Sequence, residues 1–216
     1  MVLASEQRTK LDESEDGLFY AYPRLVNHVD DSFIQQLTAL YRKHLQPKTR
    51  ILDLMSSWVS HLPPEMEFAH VSGHGLNAEE LAQNPRLDDY IVQNLNLQRR
   101  LPFPDGSFDA VLITVSVQYL QYPEEVFAEI HRILKTGGIT IISFSNRMFY
   151  QKAIQAWRDG SEMQRVQLVQ KYFASVPQGF TKPEVIARAS AVSPWLAMFG
   201  GGADPFYAVI SYRCDQ

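Results

Sequence analysis

Few residues of this 216-residue chain have types and spacing that could carry chemistry. Among six histidines, His70 and His74 stand four apart, a spacing that presents two metal ligands only on a helix. Gly73 and Gly75 flank His74 and disfavour a helix, so the pair reads as a strand and a loop histidine, and no metal site is expected. Cys214, the single cysteine, forms neither an internal disulfide nor a thiolate zinc cluster. His61, just before Leu62 and Pro63, either faces a cleft as a base or ends a segment structurally. Tyr119 positions a nucleophile or acts as acid and base, or it wedges the helix that follows. Arg147 holds a substrate carboxylate by two hydrogen bonds, or caps the next segment.

Alternating strand and helix patterns must position these groups. Asp30 and Asp31 can cap a helix whose apolar members Phe33, Ile34, Leu37, Leu40, Tyr41 and Leu45 fall at three- and four-residue steps, with Pro47 as its stop. Residues 50–54 read as a strand, 68–71 as a second ending at Gly73 and Gly75, and 89–93 as a third. Asn77 and Glu80 have the offset of a capping pair. Residues 108–115 are nearly all apolar, as in a central strand covered on both faces. Pro123 opens a helix with acids early and bases late, closed by Gly137 and Gly138. Residues 139–144 read as another strand, 148–173 as two helices broken near Gly160, and 185–192 and 206–212 as a final pair. No helix separates that pair, so it is expected to be antiparallel. Such an order implies an α/β fold, with a mostly parallel sheet covered on both sides. Residues 1–17 read as a mobile polar tail and 18–216 as one domain, whose opening residues 18–46 end in the first helix.

Composition narrows the function classes. The chain is 45% apolar and 20% charged, ordinary for a globular domain. A net charge of -4 without a dense basic run argues against a nucleic-acid partner. No apolar stretch reaches the ~20 residues of a membrane span, and the opening residues lack a secretory core. A cytoplasmic protein with a small-molecule substrate is the expectation.

The residues ILDL (51–54), VSGHGLNAEEL (71–81), LPFPDGSFDAVLITVSVQYL (101–120) and EIHRILKTGGITIISF (129–144) occur in an order that resembles the class I S-adenosylmethionine-dependent methyltransferases, in their type 11 branch. The resemblance implies a Rossmann-like seven-stranded, mostly parallel sheet with an antiparallel last strand and helices on both faces. It implies a cofactor, S-adenosylmethionine, outside the carboxyl ends of the strands. Carried over loop by loop, its site would be Asp53, Met55, Ser56 and Ser57 after the first strand. Gly75, Leu76 and Asn77 follow the second strand, Asn94 and Leu95 the third, and Ser116 the fourth. Tyr20, Tyr22, Arg24 and His28 would belong to an N-terminal lid, or pack as aromatics on the sheet edge. Gln118, Asn146 and Arg147 would rim the substrate end, and Tyr119, His28 or His61 would supply a base if one is needed.

The chain departs from the family pattern at its first two loops. The acid-x-Gly-x-Gly-x-Gly loop has Met55, Ser57 and Val59 at its glycine positions. Gly75 stands where relatives carry an acid for the ribose hydroxyls, and Asn94 where they carry one for the adenine amino group. Pro63 and Pro64 leave room for about one helical turn after Ser57. Two readings follow. In one, substituted contacts hold the cofactor: Ser56 and Ser57 hydroxyls and backbone amides at its methionine end, and Asn77 or His74 at its ribose. In the other, the chain is a catalytically inactive binding module that has lost normal cofactor binding. A nicotinamide dehydrogenase would need a GxGxxG after the first strand, which is absent. The apolar segment 194–199 and the three glycines after it are expected to bound a hydrophobic substrate or form a partner surface, or to tuck onto the domain.

Overall fold

The structure is a computed structural model that describes residues 1–188 and 203–214. The apolar segment before Gly200 and residues 189–192 of the expected strand lie outside the described residues. Seven strands form one sheet: β1 (Arg50–Leu54), β2 (His70–Gly75), β3 (Asp89–Val92), β4 (Phe108–Thr114), β5 (Leu134–Phe144), β6 (Glu184–Arg188) and β7 (Phe206–Tyr212). Their order is β3-β2-β1-β4-β5-β7-β6. β1 to β5 pair in parallel, and β7 runs antiparallel between β5 and β6. This is the Rossmann-like sheet the sequence implies. The order reverses at β1, so the carboxyl ends of β1 and β4 open a crevice.

Helices cover both faces: α1 (Asp16–Phe19), α2 (Asp31–His44), α3 (Ala78–Gln83), α4 (Pro123–Ile133), α5 (Gln155–Arg158) and α6 (Glu162–Ala174). Asp30 caps α2 by accepting the Phe33 N–H at 2.8 Å. The expected stripe buries Phe33, Leu37, Leu40 and Tyr41 against Ile51, Ala110 and Ile141 of the sheet. On the other face, α4 buries Val126, Phe127, Ile130 and Ile133 beside Val111, Ile113 and Ile142. At about 1.5–3 kcal/mol per buried side chain, that face alone anchors the helix. No described helix is long and apolar enough to cross a membrane.

Four expectations are corrected. Gly73 and Gly75 do not end β2 but lie within it. A Cβ on Gly73 would stand 2.3 Å from a Leu87 methyl, so a close approach, not a turn, selects glycine there. Gly137 and Gly138 do not cap α4, because β5 begins at Leu134 and carries both glycines past a register shift opposite Phe108 and Ala110. The stretch from Met55 to Ala69 contains no helix at all, not even the single turn that Pro63 and Pro64 leave room for. Side-chain bonds hold it instead: Asn84 Nδ2 donates to Ser57 O at 3.0 Å and to Ser60 Oγ at 2.8 Å.

The opening segment is not a loose tail. Leu3 is buried in the core, and Arg8 forms an ion pair with Glu124 of α4. Lys10 Nζ meets Asp16 at 2.7 Å, and Lys152, fully buried, meets Asp12 at 3.1 Å and Asp16 at 3.6 Å. Charges of the expected mobile tail are thus paired with partners in the body of the protein.

Candidate functional site

A cavity of about 380 Å³ opens at the carboxyl ends of β1 to β4, within the usual range for small-molecule pockets. Asp53, Met55, Ser56, Ser57, Gly75, Leu76, Asn77, Asn94, Leu95 and Ser116 all line it, as do Tyr20, Arg24, His28, His61, Tyr119 and Arg147.

Three expected rim residues are not there. Tyr22 is 81% exposed, in the segment after α1. Gln118 is buried, and its Nε2 donates to Val115 O at 2.8 Å; on the 3-10 turn Val117–Tyr119, successive residues point about 120° apart, and Tyr119 takes the cavity side. Asn146 is exposed, because Ser145 Oγ accepts the Arg147 N–H at 3.0 Å and turns the chain outward.

The first loop keeps one feature of a glycine loop. Met55 has φ 59°, the left-handed region that favours glycine, at a cost of about 1–2 kcal/mol. The Met55 side chain is packed against the core, and Trp58 Nε1 donates to Val26 O at 3.1 Å, so neither fills the hollow. Val115, at the end of β4, also has a positive φ of 50°, an outlier for a β-branched residue. Its N–H is held by Ser143 O at 2.8 Å. With His61 at φ 51°, backbone strain therefore sits at three positions of the cavity wall.

The two serines are not free donors. Ser56 Oγ donates to Asp53 and Ser57 Oγ donates to Glu80, both at 2.6 Å. The Ser56 N–H is bonded to His74 O at 2.7 Å. The two hydroxyls and the Ser56 amide, expected at the cofactor's methionine end, are thus bonded within the protein. Asn77 is also engaged: Oδ1 accepts the Glu80 N–H at 2.9 Å, and Nδ2 donates to Tyr20 O at 2.7 Å. Of the pair expected at a ribose, His74 alone is open. It is 1% exposed, and both ring nitrogens lack a protein partner. Burial lowers its pKa to about 4, so the ring is neutral at pH 7. Ser116 Oγ is likewise buried without a partner.

Glu80 lines the same cavity, and the sequence registers it only as a capping residue. Half the capping box forms. The Glu80 carboxylate turns away to accept the Arg24 N–H at 2.7 Å and the Ser57 hydroxyl. Each carboxylate oxygen keeps a second lone pair for a ligand. Nor can the acid sit at position 75. A Cβ on Gly75 would stand 2.6 Å from the Ser56 carbonyl oxygen, because the first loop is bonded across the end of β2. Asn94 Oδ1 accepts the Asn96 N–H at 2.9 Å.

Titration separates the base candidates. Burial pushes Tyr119 up to about 12, and its hydroxyl accepts the Phe149 N–H at 2.8 Å, so it holds its proton near neutrality. Burial lowers both His28 and His61, which leaves each imidazole neutral and able to accept a proton. Burial raises Asp53 to about 6, above the ordinary carboxylate range. Arg147 is tied up: its Nε donates to Asp204 at 2.7 Å, and Asp204 accepts the Asp30 N–H at 3.0 Å. The capping alternative fits it better than substrate binding.

Comparison with known proteins adds a family model described as a methyltransferase domain, which matches residues 68–142. The chain is 35% identical over 77 residues to a sterol 24-C-methyltransferase of Gibberella zeae; the match covers 33% of this chain and 20% of that protein. The chain thus spans about a fifth of the length of that curated relative. Among solved structures it is similar in fold to an S-adenosylmethionine-dependent methyltransferase of Mesorhizobium loti, with a TM-score of 0.54, 16% identity, and coverage of 81% of this chain and 96% of that one. It is also similar to phosphoethanolamine N-methyltransferase 2 of Haemonchus contortus in complex with S-adenosyl-L-methionine, with a TM-score of 0.56, 17% identity, and coverage of 84% and 52%. Sheet order, the place of the cavity and the domain matched over residues 68–142 agree: the chain has the fold of the class I S-adenosylmethionine-dependent methyltransferases and resembles them in sequence across that segment.

Proposed function

We propose that this protein is an S-adenosylmethionine-dependent methyltransferase acting on a small molecule, with the cofactor in the cavity at the ends of β1 to β4. The observation that carries this reading is the cavity at the ends of β1 to β4, whose lining residues include His74 and Ser116, with His74 Nδ1 and Nε2 and Ser116 Oγ left without a partner in the protein. Each unpaired buried polar group costs about 1–3 kcal/mol, which a polar ligand would offset. The remaining chemistry of the wall fits an adenosyl group. Glu80 has lone pairs for ribose hydroxyls, and Asn94 and His74 offer both donor and acceptor atoms. Asp53 suits an ammonium group while it is ionised.

When bound, the cofactor supplies an electrophilic methyl group. The protein's own part is to orient the partners and exclude water. Trp58 pins the first loop to the lid, and Asn77 Nδ2 pins the lid turn from the opposite side. Neutral His28 or His61 takes up a proton if the acceptor must lose one, while Tyr119 can donate a hydrogen bond.

Calorimetric titration with S-adenosylmethionine and S-adenosylhomocysteine tests this directly. Binding is expected for both at millimolar ligand or below. Asp53 is charged above about pH 6 and protonated below it, so affinity is expected to be full at pH 8 and to fall as the pH drops through 6. The absence of heat from a folded sample overturns the reading.

A further inference from the structure

Resting on that reading, we propose that the methyl acceptor is a small molecule with an aromatic body and a carboxylate, seated among Tyr20, Tyr119 and Phe149 and held through Arg24. These rings enter the cavity from three separate segments: Tyr20 from the lid, Tyr119 after β4 and Phe149 after β5. Tyr119 and Phe149 stack with centroids 6.2 Å apart and planes 26° from parallel. Tyr20 stands edge-on to both, at 6.5 and 6.1 Å. The imidazole of His28 meets the edge of Phe149 at 5.2 Å. An arrangement of ring faces and edges at these spacings is suited to a further aromatic ring.

Arg24 supplies the charge. Its guanidinium lies 4.6 Å from the Phe19 ring centroid and 5.3 Å from that of Phe149. Nη2 donates to Phe19 O at 3.0 Å, but Nη1 is buried with no partner. The cavity carboxylates do not serve it. From Arg24, Glu80 accepts the backbone N–H and no guanidinium N–H, and Asp16 is engaged by Lys10 and Lys152. A half-buried guanidinium whose buried Nη1 is unused is completed by a carboxylate, whose planar geometry matches it. An ammonium acceptor fits poorly, because a cation already occupies the ring faces and a second would be repelled.

The test uses the whole 216-residue chain, with and without saturating S-adenosylhomocysteine. It is titrated with benzoate, 4-hydroxyphenylacetate and indole-3-acetate, and with tyramine as the cationic counterpart. At least one acid is expected to bind with a Kd below about 1 mM, and tyramine roughly tenfold more weakly or less. Arg24→Gln is expected to weaken the acid roughly tenfold or more while changing S-adenosylhomocysteine affinity by less than about threefold, and Arg24→Lys to restore part of the loss. Tyr20→Leu, which keeps the guanidinium, should also weaken the acid. The proposal is overturned if none of the acids binds, if tyramine binds as tightly, or if Arg24→Gln weakens acid and S-adenosylhomocysteine alike, which would assign Arg24 to the cofactor. Failure of S-adenosylhomocysteine to bind refutes the cofactor reading instead, and the titrations on the free protein then decide the acceptor separately.

Discussion

Asp16→Ala is expected to destabilise the protein by about 3–5 kcal/mol, the usual effect of removing one partner from a buried ion pair. The carboxylate sits between two ammonium groups that are themselves shielded from water, Lys10 at 2.7 Å and Lys152 at 3.6 Å. Lys152 is fully buried, and burial already lowers the pKa of Lys10 despite its partner. Asp16 also accepts Asn96 Nδ2 at 2.9 Å, and Asn96 bonds Tyr119 O at 3.0 Å, so the opening segment is coupled to the wall of the cavity. The effect is read from the urea midpoint, with cofactor affinity falling in parallel. A loss below about 0.5 kcal/mol would mean that water reaches the cluster and that the segment is only loosely attached.

The second large effect comes from restoring the family's acid. Gly75→Asp is expected to weaken S-adenosylhomocysteine binding roughly tenfold or more and to cost about 1–3 kcal/mol, as overpacking does. Consensus alone would suggest the opposite. The first loop passes so close to β2 that the new Cβ would meet the Ser56 carbonyl oxygen at 2.6 Å, and backbone cannot yield as a flexible side chain can. Tighter binding by Gly75→Asp would show that the first loop moves aside and that Glu80 is not the ribose acid.

The sheet was readable from the residues because its signals are local and redundant. The apolar run 108–115, the acid-to-base gradient along α4 and a linker without a helical pattern in its sequence between the last strands each point to one arrangement. The cavity-lining loops were readable because they must follow the strands. What was hidden depends on contacts distant in sequence. Gly73 and Gly75 resemble turn residues until Leu87 and Ser56 are placed against them. The charges of residues 8–16 resemble a solvated tail until Glu124 and Lys152 come to meet them. Glu80 satisfies a local capping pattern, so its diversion to Ser57 and Arg24 has no signature in the chain. The capping box of Ser161 and Gln164 was legible in principle, as a serine followed three residues later by glutamine ahead of an apolar run.

The central claim is that a loop without glycines can still cradle an adenosyl group, with Glu80 in the place of the missing acid. Crystals grown with S-adenosylhomocysteine test it most directly. The account predicts nucleoside density in the cavity, with ribose oxygens within hydrogen-bonding distance of Glu80 and the base against Asn94 and Leu95. A cavity that stays empty at saturating ligand, or a nucleoside bound elsewhere on the molecule, would contradict it.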